Sequence, residues 1–301
     1  MQKVFLLKFL VLVSAMSMLI LPHYCAVSAQ AAYAQNVSPL TRLIPASATV
    51  LTLTGLNFNL INYMPEVFHG RFSRSPYRMY QVRYPASISP QTITKGVAAL
   101  DAALRSTPGP IIVLAHSQGA QVASHWMRQH ANDSSAPPPS RVTFILLGNP
   151  LRACGGRGIG QREFGGTIGK PTPTTTPWTV IDVARRYDGW ADWPTDENNQ
   201  LAVKNANIGR RVYHIHYDEV ELFDPAHTVW QNGNTTFVLT HETLTLFRGL
   251  SQPPGWAERA ASAYVESAYN RPSNDPRISP LPIQKGDTLW YWKLRRWGVP
   301  L

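Results

Sequence analysis

The stretch Ile111-Ile-Val-Leu-Ala-His-Ser117-Gln-Gly-Ala-Gln-Val-Ala-Ser-His-Trp-Met127 constrains the fold more than any other part of the chain. Four apolar residues, Ile111 to Leu114, have the length and composition of a short buried strand. Ala115-His-Ser-Gln-Gly119 is a tight turn, and a helical run with small residues at Ala120 and Ala123 follows it. A serine at the apex of a strand–turn–helix is a nucleophile elbow, and the fold that presents it is the α/β-hydrolase. Ala115 stands where the elbow pattern G-x-S-x-G has its first glycine. A small residue is needed there because strand and helix pass close to each other, and alanine meets that need.

The flanking chain is consistent with an α/β class and a mostly parallel sheet flanked by helices. Val50–Leu53 reads as a first strand, closed by Thr54-Gly55-Leu56-Asn57. Tyr80–Tyr84 alternates and ends at Pro85, which marks a second strand. Val97, Leu100 and Leu104 space an amphipathic helix ahead of the elbow. Val142–Leu147 and Trp178–Val183 are further buried strands. A helix is expected over about 198–208, strands over Arg211–Tyr217 and Thr235–Leu239, and a last helix within 253–270. Residues 151–177, rich in Gly and Pro, carry no period and read as a surface excursion, either a lid or rim of the site or a plain loop. Tyr63, Met64, Phe68 and Phe72 are expected to be core packing rather than an acyl groove. With 301 residues and 44% hydrophobic composition, the chain can bury one sizeable core.

The N-terminus differs in kind from the rest. Lys3 and Lys8 precede or flank the apolar run Phe9–Leu21, and Val27-Ser-Ala29 and Ala32-Tyr-Ala34 are small-residue cleavage sites. This is the pattern of a secretory signal peptide over residues 1–34, too short for a membrane span. The expected organisation is therefore a leader (1–34), a hydrolase domain (35–272) and a Pro/Trp-rich tail (273–301) whose tryptophans dock on the domain. Location is expected to be secreted or in the cell envelope. Cys25 falls within the leader, so no intrachain disulfide is expected. The formal net charge is +10, but the bases are scattered in short pairs. No basic run interleaved with aromatics suggests nucleic acid as a partner; attraction to an anionic envelope is the functional reading of the charge.

A serine hydroxyl needs a histidine base, and the histidine needs a carboxylate that fixes its tautomer and stabilises its charged form. In α/β-hydrolases these follow in the order Ser, Asp, His. Asp188 and Asp192 both follow the Trp178–Val183 strand. Asp192, three residues after Gly189 in a turn closed by Pro194, is slightly preferred, with Asp188 the alternative acid. His214, His216, His227 and His241 remain as bases. His116 adjoins the serine but points away from it, and His125 and His130 lie on the helix after the elbow. The oxyanion donors are the backbone N–H of Gln118, next to the nucleophile, and one N–H of the Thr54–Asn57 loop, placed at Leu56. No metal or other cofactor is called for.

Three blocks carry a resemblance to a known family: Arg186-Tyr-Asp-Gly-Trp-Ala-Asp-Trp-Pro194, Val212-Tyr-His-Ile-His-Tyr217, and Gly233-Asn-Thr-Thr-Phe-Val-Leu239. With the closing segment Ala263-Tyr-Val-Glu-Ser-Ala-Tyr-Asn-Arg271, residues 48–272 resemble the PE-PPE domain of mycobacteria and their relatives. A signal peptide is expected in the place of that family's N-terminal helical module. The resemblance implies a cutinase-related serine hydrolase acting on acyl esters, with a lipid or other acyl-ester substrate, and puts the family histidine at His214. An acyltransferase would use the same residues with an acceptor alcohol in place of water. A non-catalytic envelope lipid-binding protein on this scaffold is the competing class, and the Ser, Asp and His set argues against it.

Overall fold

The computed structural model describes residues 39–164, 166–248, 253–282 and 287–301. The expected leader lies outside the described residues. Among the described residues, seven strands form one sheet: β1 (Thr49–Leu53), β2 (Arg78–Gln81), β3 (Ile111–His116), β4 (Val142–Leu147), β5 (Thr179–Ala184), β6 (Thr228–Asn232) and β7 (Thr235–Leu239). Their spatial order is β2-β1-β3-β4-β5-β7-β6, parallel throughout except for the antiparallel β6–β7 pair. The helices that matter here are α1 (Thr92–Ser106), α2 (Gln118–His130), α3 (Gln200–Val212), α4 (Gly255–Glu266) and α5 (Thr288–Arg296). This is the α/β-hydrolase architecture expected from the elbow.

The strands β3 and β4 are buried along their whole length, with only His116 and Thr143 polar, because both faces of the sheet are covered. Ile111, Val113 and Ala115 enter one core with Leu100 and Leu104 of α1 and Trp126 of α2. Ile112 and Leu114 enter a second core with Met64, Phe68, Phe72 and Leu222. A third cluster joins α3, α4 and α5 through Leu201, Trp256, Trp290 and Leu294. The order of strands reverses between β1 and β3: from β1 the chain runs outward to β2, then returns to β3 on the other side. In open α/β sheets the crevice above such a reversal is where ligands bind.

Several expectations from sequence need correction. The strand expected at Arg211–Tyr217 does not form. Residues 200–212 are helical, and Tyr213 is the C-cap. The helix's buried face, Leu201, Ala202, Asn205, Ala206 and Gly209, continues past the expected end and overrides the local alternation. His214 therefore sits in the turn after a helix. No strand is expected from sequence at Thr228–Asn232, yet these residues form β6, which pairs with β7 as an antiparallel hairpin. β2 is shifted towards the N-terminus of the expected Tyr80–Tyr84 segment.

The excursion at 151–177 is stapled to the sheet and to α2 rather than standing clear. Ser124 and Thr172 share a hydrogen bond of 2.7 Å, and the Asn149 amide donates to Thr172. The buried Glu163 carboxylate accepts from Gln121 and pairs with His125.

Candidate active site

Ser117 occupies the junction of β3 and α2 with φ 54° and ψ −116°. A non-glycine residue in that region is strained, and the strain is what turns its side chain out of the sheet at an elbow. Two residues on, Gly119 lets α2 approach β1: a Cβ there would lie 2.5 Å from the Leu53 carbonyl oxygen. At the first elbow position Ala115 is fully buried in the core, so its methyl group fills space that the packing requires.

His214 Nε2 lies 2.9 Å from Ser117 Oγ. On the ring's other side Nδ1 lies 3.0 and 2.9 Å from the two carboxylate oxygens of Asp188. A carboxylate only accepts, so Nδ1 carries the proton and Nε2 is left to accept from the serine hydroxyl. Asp188 is fully buried and receives two more donors, the Trp190 N–H at 3.0 Å and the Tyr217 hydroxyl at 3.0 Å. Burial pushes this carboxyl up, but the His214 ring and the two donors outweigh it and hold it below the usual carboxylate range. Gly148, at the end of β4 with φ +51°, leaves room for the ring: a Cβ there would come within 2.9 Å of His214.

Asp192, the slightly preferred acid, does not reach His214. Its carboxylate accepts from the Tyr187 N–H at 2.7 Å and is paired with Arg271. Asp192 thus closes the turn that presents Asp188, while Asp188 makes the contact to the histidine. The remaining candidate bases lie elsewhere: His216 is beside Asp218, and His227 donates to the Glu221 carbonyl. Asp182 is fully buried in β5, paired with Arg152 and hydrogen-bonded by Asn149. Gln118 is the first residue of α2, so its N–H is among the donors the helix itself leaves open; its side chain donates to the Ser87 carbonyl. Leu56 directly follows Gly55, where a Cβ would lie 3.0 Å from Ser117 Cβ. Both proposed oxyanion donors are therefore on segments flanking the serine.

Sequence reasoning missed a second hydrogen-bonded line behind the serine. His116 Nε2 is 2.8 Å from the His214 carbonyl oxygen, so Nε2 donates and Nδ1 accepts. Tyr63 supplies that donor, with its hydroxyl 2.6 Å from Nδ1, and the same oxygen accepts the Gly55 N–H at 2.7 Å. Burial, reinforced by the neighbouring His214, pushes the His116 imidazole down to about 3, so it stays neutral. Burial likewise pushes the Tyr63 phenol up to about 12, so it keeps its proton. One continuous line thus ties the loop after β1 to the backbone of His214. The only sequence signal was the position of His116 beside Ser117. Among the described residues no three or more His, Cys, Asp or Glu side chains are grouped as metal ligands, and no helix is long and apolar enough to cross a membrane.

Comparison with known proteins finds the PE-PPE domain over residues 74–268. Of curated proteins from Mycobacterium tuberculosis, the SL1278 acyltransferase Chp1 is 31% identical over 235 residues, covering 68% of this chain and 57% of that protein. Esterase PE16 is 32% identical over 231 residues, covering 70% and 43%. The chain spans about half the length of the curated relatives it matches. Among solved structures, a cutinase-like protein from Cryptococcus sp. is 15% identical, with 59% of this chain and 95% of that one covered and a TM-score of 0.33.

Proposed function

The chain belongs to the PE-PPE domain family, and from that premise we propose that it is a serine esterase acting on carboxylic acyl esters. Ser117 Oγ attacks the acyl carbonyl while His214 Nε2 takes the hydroxyl proton. Asp188 holds the Nδ1–H tautomer and stabilises the imidazolium that forms. The N–H groups of Gln118 and Leu56 receive the oxyanion. His214 then returns its proton to the leaving alcohol, and the acyl group remains on Ser117. Water, deprotonated by the same histidine, releases the acid and regenerates the serine. The observation that carries this reading is the 2.9 Å approach of His214 Nε2 to Ser117 Oγ, with a buried carboxylate on the ring's other nitrogen.

A fluorophosphonate probe tests it. The purified protein should be labelled on one serine, and Ser117→Ala should abolish both labelling and turnover of a soluble acyl ester. Labelling that survives this substitution would defeat the assignment. A second reading is favoured by one relative, the SL1278 acyltransferase Chp1: an acceptor alcohol replaces water in the second half-reaction. Product analysis with and without an added sugar or glycolipid alcohol separates the two, because transfer yields a new ester where hydrolysis yields free acid. A lipid acyl ester as substrate, and export by the expected leader to the cell envelope, belong to the same proposal. N-terminal sequencing of the exported protein locates the processing point.

A further inference from the structure

Large apolar side chains left in water are concentrated around Ser117. The loop after β1 exposes Leu56, Phe58, Leu60 and Ile61, with Leu60 at 80% and Ile61 at 67%. That loop starts at Gly55, against the serine. Trp190, whose N–H binds Asp188, has its ring centroid 6.3 Å from that of His214, and the exposed Ile215 directly follows His214. On the remaining side, the exposed Ile88 follows Ser87, the residue whose carbonyl receives the Gln118 side chain. Four separate parts of the chain thus raise apolar side chains at one end of the sheet, where a water-facing surface would carry polar ones.

The charge around this rim has one sign. Residues 55–61, 86–95, 189–190 and 208–216 contain no Asp or Glu, and they bring Lys95, Arg210 and Arg211. The Arg210 guanidinium lies 5.3 Å from the Trp190 ring centroid. Of the acids next along the chain, Asp188 and Asp192 are buried against His214 and Arg271, Asp218 and Glu219 lie against His216 and Arg185, and the exposed Glu66 is five residues past Ile61. Two copies meeting rim to rim about a twofold axis would set these bases against each other, which disfavours self-association.

We propose that the rim around Ser117 seats on an anionic lipid surface, its Leu, Ile, Phe and Trp side chains in the acyl layer and Lys95, Arg210 and Arg211 at the headgroups. Apolar side chains bordered by cations are the composition that binds a bilayer interface. That the surface also delivers ester to Ser117 rests on the esterase reading; the docking itself does not.

The test uses the full chain carrying Ser117→Ala, so that binding is read without turnover, with co-sedimentation on vesicles of phosphatidylcholine and phosphatidylglycerol in equal parts. The protein should partition onto these vesicles and bind pure phosphatidylcholine more weakly. Adding Leu60→Ser with Ile61→Ser should lower partitioning by about tenfold or more, since two buried side chains leave the acyl layer. Arg210→Glu with Arg211→Glu should lower it on the anionic vesicles only. Leu281→Ser, outside the rim, should leave it unchanged. Circular dichroism and thermal unfolding confirm that each variant is folded. Partitioning that survives the Leu60/Ile61 pair, or that is equal on neutral vesicles, overturns the proposal. So does a concentration-dependent dimer that the same pair dissolves while no vesicle binding is seen. Failure of the esterase reading shows instead as an unlabelled Ser117 in the parent protein.

Discussion

Asp188 and Asp192 share one turn but hold different partners, and their substitutions should separate cleanly. Asp188→Asn leaves the shape but offers His214 Nδ1 an amide, which can hold the wrong tautomer. By the precedent of triad carboxamides, kcat on a soluble ester should fall about 10⁴-fold with little loss of stability. Asp192→Asn keeps Asp188 on the ring but leaves Arg271 with one carboxylate fewer in a buried place. Its cost should be mainly stability, about 3 kcal/mol, read by denaturant unfolding, with the smaller effect on kcat. The reverse ranking would make Asp192 the acid. Tyr63→Phe removes the oxygen that holds the Gly55 N–H and the donor that fixes His116. The oxyanion forms only in the transition state, so displaced donors should lower kcat about tenfold or more and leave KM nearly unchanged. Steady-state kinetics on the Phe variant, with its unfolding temperature as control, reads this split.

At the level of elements, the acid loop is held by a charge network that reaches well along the chain. Arg271 pairs with Asp192 and Glu266, and Arg186 pairs with Glu266 and Asp275. Burial pushes the Glu266 carboxyl up, but Arg271, Arg186 and the Tyr187 hydroxyl outweigh it and bring the group from 4.5 down to about 2. Its folded value lies below its unfolded one, so the stabilisation is complete above about 4.5 and is lost as pH falls towards about 2. Glu266→Gln should therefore cost roughly 3 kcal/mol at neutral pH. The stability of the variant should also change less with pH across that acid window. Parallel curves for the two proteins, from denaturant unfolding at a series of pH values, would count against the network. The same element explains what sequence could convey. The elbow was legible because a strand, a turn and a helix specify it locally, whereas chain order left His214, His216, His227 and His241 open and only the resemblance to the PE-PPE domain pointed to His214. The choice between two aspartates was not legible, because it depends on Arg271, 79 residues away from Asp192. The end of α3 was misread for a related reason: Val212, His214 and Ile215 give no local sign that a buried helical face continues to Gly209.

For the whole molecule, the arrangement of the sheet determines where the chemistry can be. The site stands where strand order reverses, between the ends of β1 and β3, and every group proposed for it comes from that same end. Sequence conveyed this much, since the alternation of strands and helices pointed to a parallel sheet, but not the antiparallel close of the sheet at β6, whose short run ahead of Gly233 lacks a strong pattern of its own. The sheet also bears on where the chain can be cut. The family match runs over 74–268. β1, which lies between β2 and β3, is encoded before it, together with Gly55, Leu56 and Tyr63, and Arg271 and Asp275 are encoded after it. A recombinant fragment trimmed to the matched residues would have a gap in the middle of its sheet and no anchor for its acid loop. It should fail to give soluble, folded protein, whereas a fragment that starts before Pro39 and keeps α5 should fold, with circular dichroism and unfolding cooperativity as the readout. The boundary of sequence similarity and the boundary of the smallest working unit are different lines on this chain, and only the second is a safe place for scissors.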